Sequence, residues 1–123
     1  MILPDTSIWI DQLRAGDPEL IAQLEIGTIV IHPWVIGEIA LGNLAHRSRT
    51  LQALKELPAA PIVAVAEVFD IIEERSLHGL GIGYVDVQIL ASALAVPGTM
   101  LWTRDQRLHS AATRLGMAHG PWA

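Results

Sequence analysis

Cysteine is absent from the 123-residue sequence, which removes thiol nucleophiles, thiolate metal sites and disulfides. Lysine is almost absent as well: Lys55 is the single example, and arginine supplies the other seven basic residues. Thirteen acidic residues bring the formal net charge to −5. The molecule as a whole therefore does not attract nucleic acid, and any phosphate it handles must be met by arginines and a metal ion. A long apolar run is also missing. The longest uncharged stretch, Val87 to Thr103, contains Gln88, Ser92, Pro97 and Gly98, so it reads as a buried helix followed by a strand and not as a membrane span. No basic start leads into an apolar core with a small-residue cleavage site, and the expectation is a cytoplasmic protein. Repeats, low-complexity tracts and linkers are lacking. One domain over residues 1–123 is expected, and a chain of this size buries enough surface to fold without staples.

What is present alternates between strand and helix signals. Residues 2–5 read as a short apolar strand leading into a helix over about 6–15. Asp17-Pro18-Glu19 places a cap, a proline and an acid where a second helix should begin. The β-branched run Thr28-Ile29-Val30-Ile31 predicts a strand, Pro33 opens a helix to about Leu44, and Ser48 caps another that ends before Pro58. A short strand at 62–64 and a helix over 66–78 follow. The loop Gly79-Leu80-Gly81-Ile82-Gly83 then precedes a helix over about 85–95. Met100-Leu101-Trp102-Thr103 predicts a strand and 105–115 a last helix. This alternation implies an α/β fold with a central parallel sheet of four to five strands flanked by helices, an α/β/α sandwich. In such folds ligands sit beyond the carboxyl ends of the strands.

The informative acids are those placed where a solvated charge does not belong. Glu38 has Trp34, Val35, Leu41 and Gly42 at helical spacing, and Asp86 has Ile89, Leu90, Ala93 and Leu94, so both read as lying on apolar stripes. An unpaired charge there costs several kcal/mol and persists only with a partner. Glu67, Asp70 and Glu74, by contrast, share one solvated face, and Asp11 with Arg14 three residues on reads as surface. Asp5 follows the first strand and Asp105 follows the strand at 100–103, so a parallel sheet brings both to one edge. Asp5, Asp86 and Asp105 each also fit a helix cap, and at this level both readings stand. Glu38 fits no cap. If the four converge, each pair about 4 Å apart repels by roughly 4 kcal/mol at an effective dielectric of 20. The group must then hold protons or bind a cation. Oxygen-only donors select Mg²⁺ or Mn²⁺.

The segments MILPDTSIWI, HPWVIGEIALGNL, GIGYVDVQILASALA and LWTRDQRLHSAATRLG, in this order and spacing, resemble the PIN-domain ribonucleases, and among them the VapC-type toxins of bacterial toxin–antitoxin pairs. The resemblance covers nearly the whole chain. It implies that Asp5, Glu38, Asp86 and Asp105 are the four acids of the catalytic pocket. Asp5 and Asp86 are then the principal metal ligands and Asp105 a third ligand or water-holder. Thr6 stands beside the first acid, and Thr103 matches the hydroxyl residue that precedes the fourth. It further implies a Mg²⁺- or Mn²⁺-dependent endoribonuclease acting on RNA such as tRNA or ribosomal RNA. A homodimer is implied too, with a small antitoxin that occludes the site and carries any DNA binding. Pro4 departs from the β-branched residue usual in the family, and it removes a ladder donor from a strand expected to be internal.

On this reading Glu38 positions or deprotonates the attacking water, its apolar surroundings favouring a proton-accepting role. Arg47, Arg49, Arg104 and Arg107 either contact phosphate or neutralise surface acids. An acidic pocket also predicts that the antitoxin presents an arginine or lysine into it. A receiver-type phosphorylation domain would need adjacent acids after the first strand and a late lysine. A haloacid-dehalogenase-like phosphatase would need an acid at position 7, where serine stands. The alternative that survives is a catalytically silent PIN-like module acting through a protein partner.

Overall fold

The structure, a computed structural model, describes residues 1–122. In chain order its elements are β1 (Ile2–Pro4), α1 (Thr6–Ala15), α2 (Pro18–Glu25), α3 (Pro33–Ala40), α4 (Arg47–Glu56), α5 (Val65–Glu74), α6 (Tyr84–Ala95), β2 (Met100–Trp102) and α7 (Gln106–Arg114). β1 and β2 run parallel with Ile2 opposite Met100, Leu3 opposite Leu101 and Pro4 opposite Trp102. Helix α1 packs on β1, α6 and α7 pack on β2, and α1 also meets α3.

The expected sheet of four to five strands is not what forms. Among the described residues the regular sheet has two strands. Isolated parallel bridges extend it, Ile2 to Ile29 and Ile31 to Ala59 on one side and Leu101 to Ala118 on the other. Pro4 accounts for part of the shortfall. Backbone donors alternate sides along a strand. Ile2 N–H donates to Thr28 O at 2.8 Å, away from β2, whereas Asp5 N–H donates to Trp102 O at 2.8 Å, toward β2. The donor missing at Pro4 is therefore on the side of residues 28–31, where the pairing stops after one bridge. The β2 side is intact and Asp5 keeps its register.

The predicted strand at 62–64 is absent for a different reason. Gln88 on α6 accepts from Val63 N–H at 2.8 Å and donates to Val63 O at 3.0 Å, and Ser92 donates to Pro61 O at 2.6 Å. Two side chains thus satisfy backbone that would otherwise seek a neighbouring strand. Helix α3 stops at Ala40 instead of Leu44 because Arg47 turns back onto the carbonyls of Ala40 and Gly42, the latter at 3.0 Å. Ser48 is not a cap: α4 already includes it, and the capping position is His46, with φ 50°.

The core is continuous, from Leu3 and Leu101 on the strands to Ile8, Leu20, Val35, Leu90 and Leu108 on the helices. Helix α6 is buried from Val87 to Ala93, which explains the absence of charge after Asp86. No helix among the described residues is long and apolar enough to cross a membrane.

Candidate active site

Asp5 caps α1 and is also buried, at 5% exposure. Its Oδ1 accepts the Ser7 hydroxyl at 2.5 Å and the Ile8 amide at 3.3 Å, and its Oδ2 accepts the Thr103 hydroxyl. Both hydroxyls are themselves tied to the loop after β2: Arg104 N–H donates to Ser7 Oγ and Asp105 N–H to Thr103 Oγ1, each at 3.0 Å. The ends of β1 and β2 are therefore cross-linked through one carboxylate. Burial pushes its carboxyl up from the ordinary aspartate value, and the hydroxyl and amide donors partly offset that.

Asp86 lies in the first turn of α6, half-buried. Its carboxyl is pushed up to about 6, first by burial and then by the negative charges of Asp5 and Asp105, with a smaller contribution from Glu38; a hydrogen bond from the Gly83 backbone works the other way. Three acids from distant parts of the chain thus act on Asp86. Asp105 caps α7, accepting from Arg107 N–H at 2.8 Å and Leu108 N–H at 3.2 Å, and it is exposed. The cap and pocket readings of Asp5 and Asp105 are not exclusive.

Glu38 corrects the sequence reading. It is exposed and does not lie on a buried stripe: the buried positions of α3 are Val35 and Ile39, and Leu41 is 90% exposed. Apolar neighbours in sequence were mistaken for a buried face. A hydrogen bond orients Glu38 instead, with Thr6 Oγ1 donating to Oε1 at 2.7 Å. Asp5, Asp86 and Asp105 do not form a ready-made metal cluster either. Among the described residues no three acidic or histidine side chains stand close enough together to hold an ion. Asp5 is held by its hydroxyls and Asp105 by the helix amides.

The sequence matches the PIN domain family over residues 2–113. The chain belongs to the PIN-domain family, in its VapC branch. It is 43% identical over 118 residues to proteins named Ribonuclease VapC32 from two strains of Mycobacterium tuberculosis, CDC 1551 / Oshkosh and H37Rv. The match covers 96% of this chain and 95% of each relative.

Within this PIN domain, sequence reasoning missed Ser7, noting it only as the wrong residue for a phosphatase. Its signal was the spacing, since a serine two residues after an N-cap aspartate is within reach of the cap's carboxylate. Sequence reasoning also left the arginines undivided. Arg104 pairs with Asp11 at 3.2 Å and Asp17 at 2.5 Å and lies over the Trp102 ring, so it neutralises one exposed and one buried acid. Asp11 takes this partner and not Arg14. Arg47 binds helix-end carbonyls.

Proposed function

We propose that this chain is the toxin of a toxin–antitoxin pair, an endoribonuclease that hydrolyses phosphodiester bonds in RNA, with tRNA or ribosomal RNA as its substrate class. The PIN-domain match and the 43% identity to Ribonuclease VapC32 over 96% of the chain carry the reading. The site agrees with it: the Asp86 carboxyl is raised by burial together with the charges of Asp5, Asp105 and Glu38, as expected of several acids sharing a field that a cation would relieve.

The donors are all oxygen, which suits Mg²⁺ or Mn²⁺. Asp5, Asp86 and Asp105 are the residues that would hold it. When bound, such an ion polarises phosphate oxygens and lowers the pKa of water. The chain's own part is positioning and proton transfer. Thr6 occupies Oε1 of Glu38, leaving Oε2 to take a proton from the attacking water as the new P–O bond forms and the bond to the leaving ribose oxygen breaks. Ser7 and Thr103 keep both oxygens of Asp5 fixed while this happens. Asp5, Glu38, Asp86 and Asp105 are thus the catalytic set of a single domain spanning the chain.

The protein works as a cytoplasmic homodimer, and its antitoxin presents an arginine or lysine to the acidic pocket. DNA contact, where it occurs, belongs to the antitoxin. Incubating the purified protein with total RNA tests the reading. Cleavage should need Mg²⁺ or Mn²⁺, stop with chelator and be lost in a folded Asp86→Asn variant. A silent PIN-like module would bind its partner and leave the RNA whole. Full activity of Asp86→Asn would overturn the assignment.

A further inference from the structure

The arginines near the acids differ in what holds them. Arg104 and Arg47 are engaged as described above, and Arg114 Nη2 donates to the carbonyls of Arg75 and Ser76 at 2.8 and 3.0 Å. Arg107 is different. Among the described residues its guanidinium forms no ion pair and donates no hydrogen bond, yet the glycine loop is shaped around it. Gly81 has φ 76°, and a Cβ there would lie 2.7 Å from Arg107 Nη1 and 3.0 Å from Cδ. Glycine favours that backbone and leaves the space, whereas a larger residue would push the guanidinium aside. Arg107 is thereby laid across the loop that leads to Asp86, two residues after Asp105.

A groove of about 340 Å³ runs beside it, lined by Leu80, Gln106, Arg107, Ser110, Ala111 and Arg114. Its lining holds two arginines and no carboxylate, in a chain of net charge −5. Arg107, Ser110 and Arg114 share one face of α7, so polar groups extend along about 10 Å of helix. A positioned guanidinium without a carboxylate partner, in an acid-free groove along the helix that Asp105 caps, calls for an anion. Its forked N–H donors match phosphate oxygens. We propose that this groove carries the RNA strand, with Arg107 donating to a phosphate that flanks the one being cut. The proposal rests on the ribonuclease reading and supplies what the acids lack, local attraction for a polyanion.

The test is fluorescence anisotropy of a fluorescein-labelled single-stranded oligoribonucleotide, titrated in Mg²⁺ with full-length protein carrying Asp86→Asn to prevent cleavage. Adding Arg107→Ala should weaken binding about tenfold and make the salt dependence shallower by about 0.7 in log–log slope, the loss of one phosphate contact on a single strand. Arg107→Lys should recover part of the affinity. Lys55→Ala removes the same charge from the exposed surface of α4 and should change little. Unchanged affinity and slope in Arg107→Ala would overturn the proposal. So would equal losses in Arg107→Ala and Lys55→Ala, or an effect of Arg107→Ala confined to antitoxin binding. Cleavage of total RNA by the wild type, measured alongside, reports separately on the ribonuclease reading.

Discussion

Removing the Ser7 hydroxyl would leave Asp5 Oδ1 with only the Ile8 amide, and the Arg104 amide without an acceptor. Ser7→Ala should therefore cost about 1–3 kcal/mol in urea unfolding. RNA cleavage should fall about 10–100-fold, the usual effect of losing a group that orients a ligand. Thr103→Val should behave alike and Thr103→Ser should restore most of the activity; a Thr103→Val variant with wild-type turnover would count against the clamp. Asp86 gives a prediction of opposite sign. Its folded carboxyl titrates near 6, above the ordinary 3.8, so between those values the native state holds a proton that the unfolded chain releases. Stability from this group is full below the unfolded value and is lost as pH rises to about 6. His32, buried and with its pKa lowered by burial, acts the other way, since acid favours its charging in the unfolded chain. The useful measurement is the difference between wild type and Asp86→Asn without metal. The variant should be the more stable above pH 6, with its advantage shrinking toward pH 4.

Among the elements, α6 does more than fill the core, because Gln88 stands in for a strand at Val63. Gln88→Leu keeps the volume but strands a buried N–H and C=O, which should cost about 2–4 kcal/mol. The denaturant midpoint should drop with an unchanged m-value, and the Val63 amide should lose exchange protection. Retained protection there would mean that the segment is held by something else. The same contact shows why the helices were legible and the sheet was not. Helices α1, α2 and α7 announce themselves through local signals, namely the Asp5, Asp17 and Asp105 caps and Pro18. Whether residues 28–31 or 62–64 pair depends on partners far along the chain, on a proline on β1 and on a glutamine on α6. Placement of the candidate site residues followed the same rule. Asp5 and Asp105 stand just after the two strands, and Asp86 stands in the first turn of the buried helix α6. Glu38 is exposed although its sequence neighbours are apolar, since apolar neighbours do not fix which side of a short helix faces solvent.

For the molecule as a whole, a net charge of −5 and a field shared by four acids mean that the metal-free protein folds against its own repulsion. A ligand that binds only the native state stabilises it by about 2.7 kcal/mol at a hundred times its dissociation constant. Saturating Mg²⁺ or Mn²⁺ should accordingly raise the melting temperature at neutral pH by several degrees, given about 4–8 °C per kcal/mol for small domains and less for larger ones. Asp86→Asn should start from a higher melting temperature than the metal-free wild type and gain much less from the ion. Matching sodium chloride for ionic strength separates binding from screening, because screening relaxes both proteins whether or not a site exists. Equal gains with Na⁺ and Mg²⁺ would mean that the acids share a field without forming a site. A gain specific to the divalent ion and dependent on Asp86 would mean that the acids form a cation site that the native state alone offers.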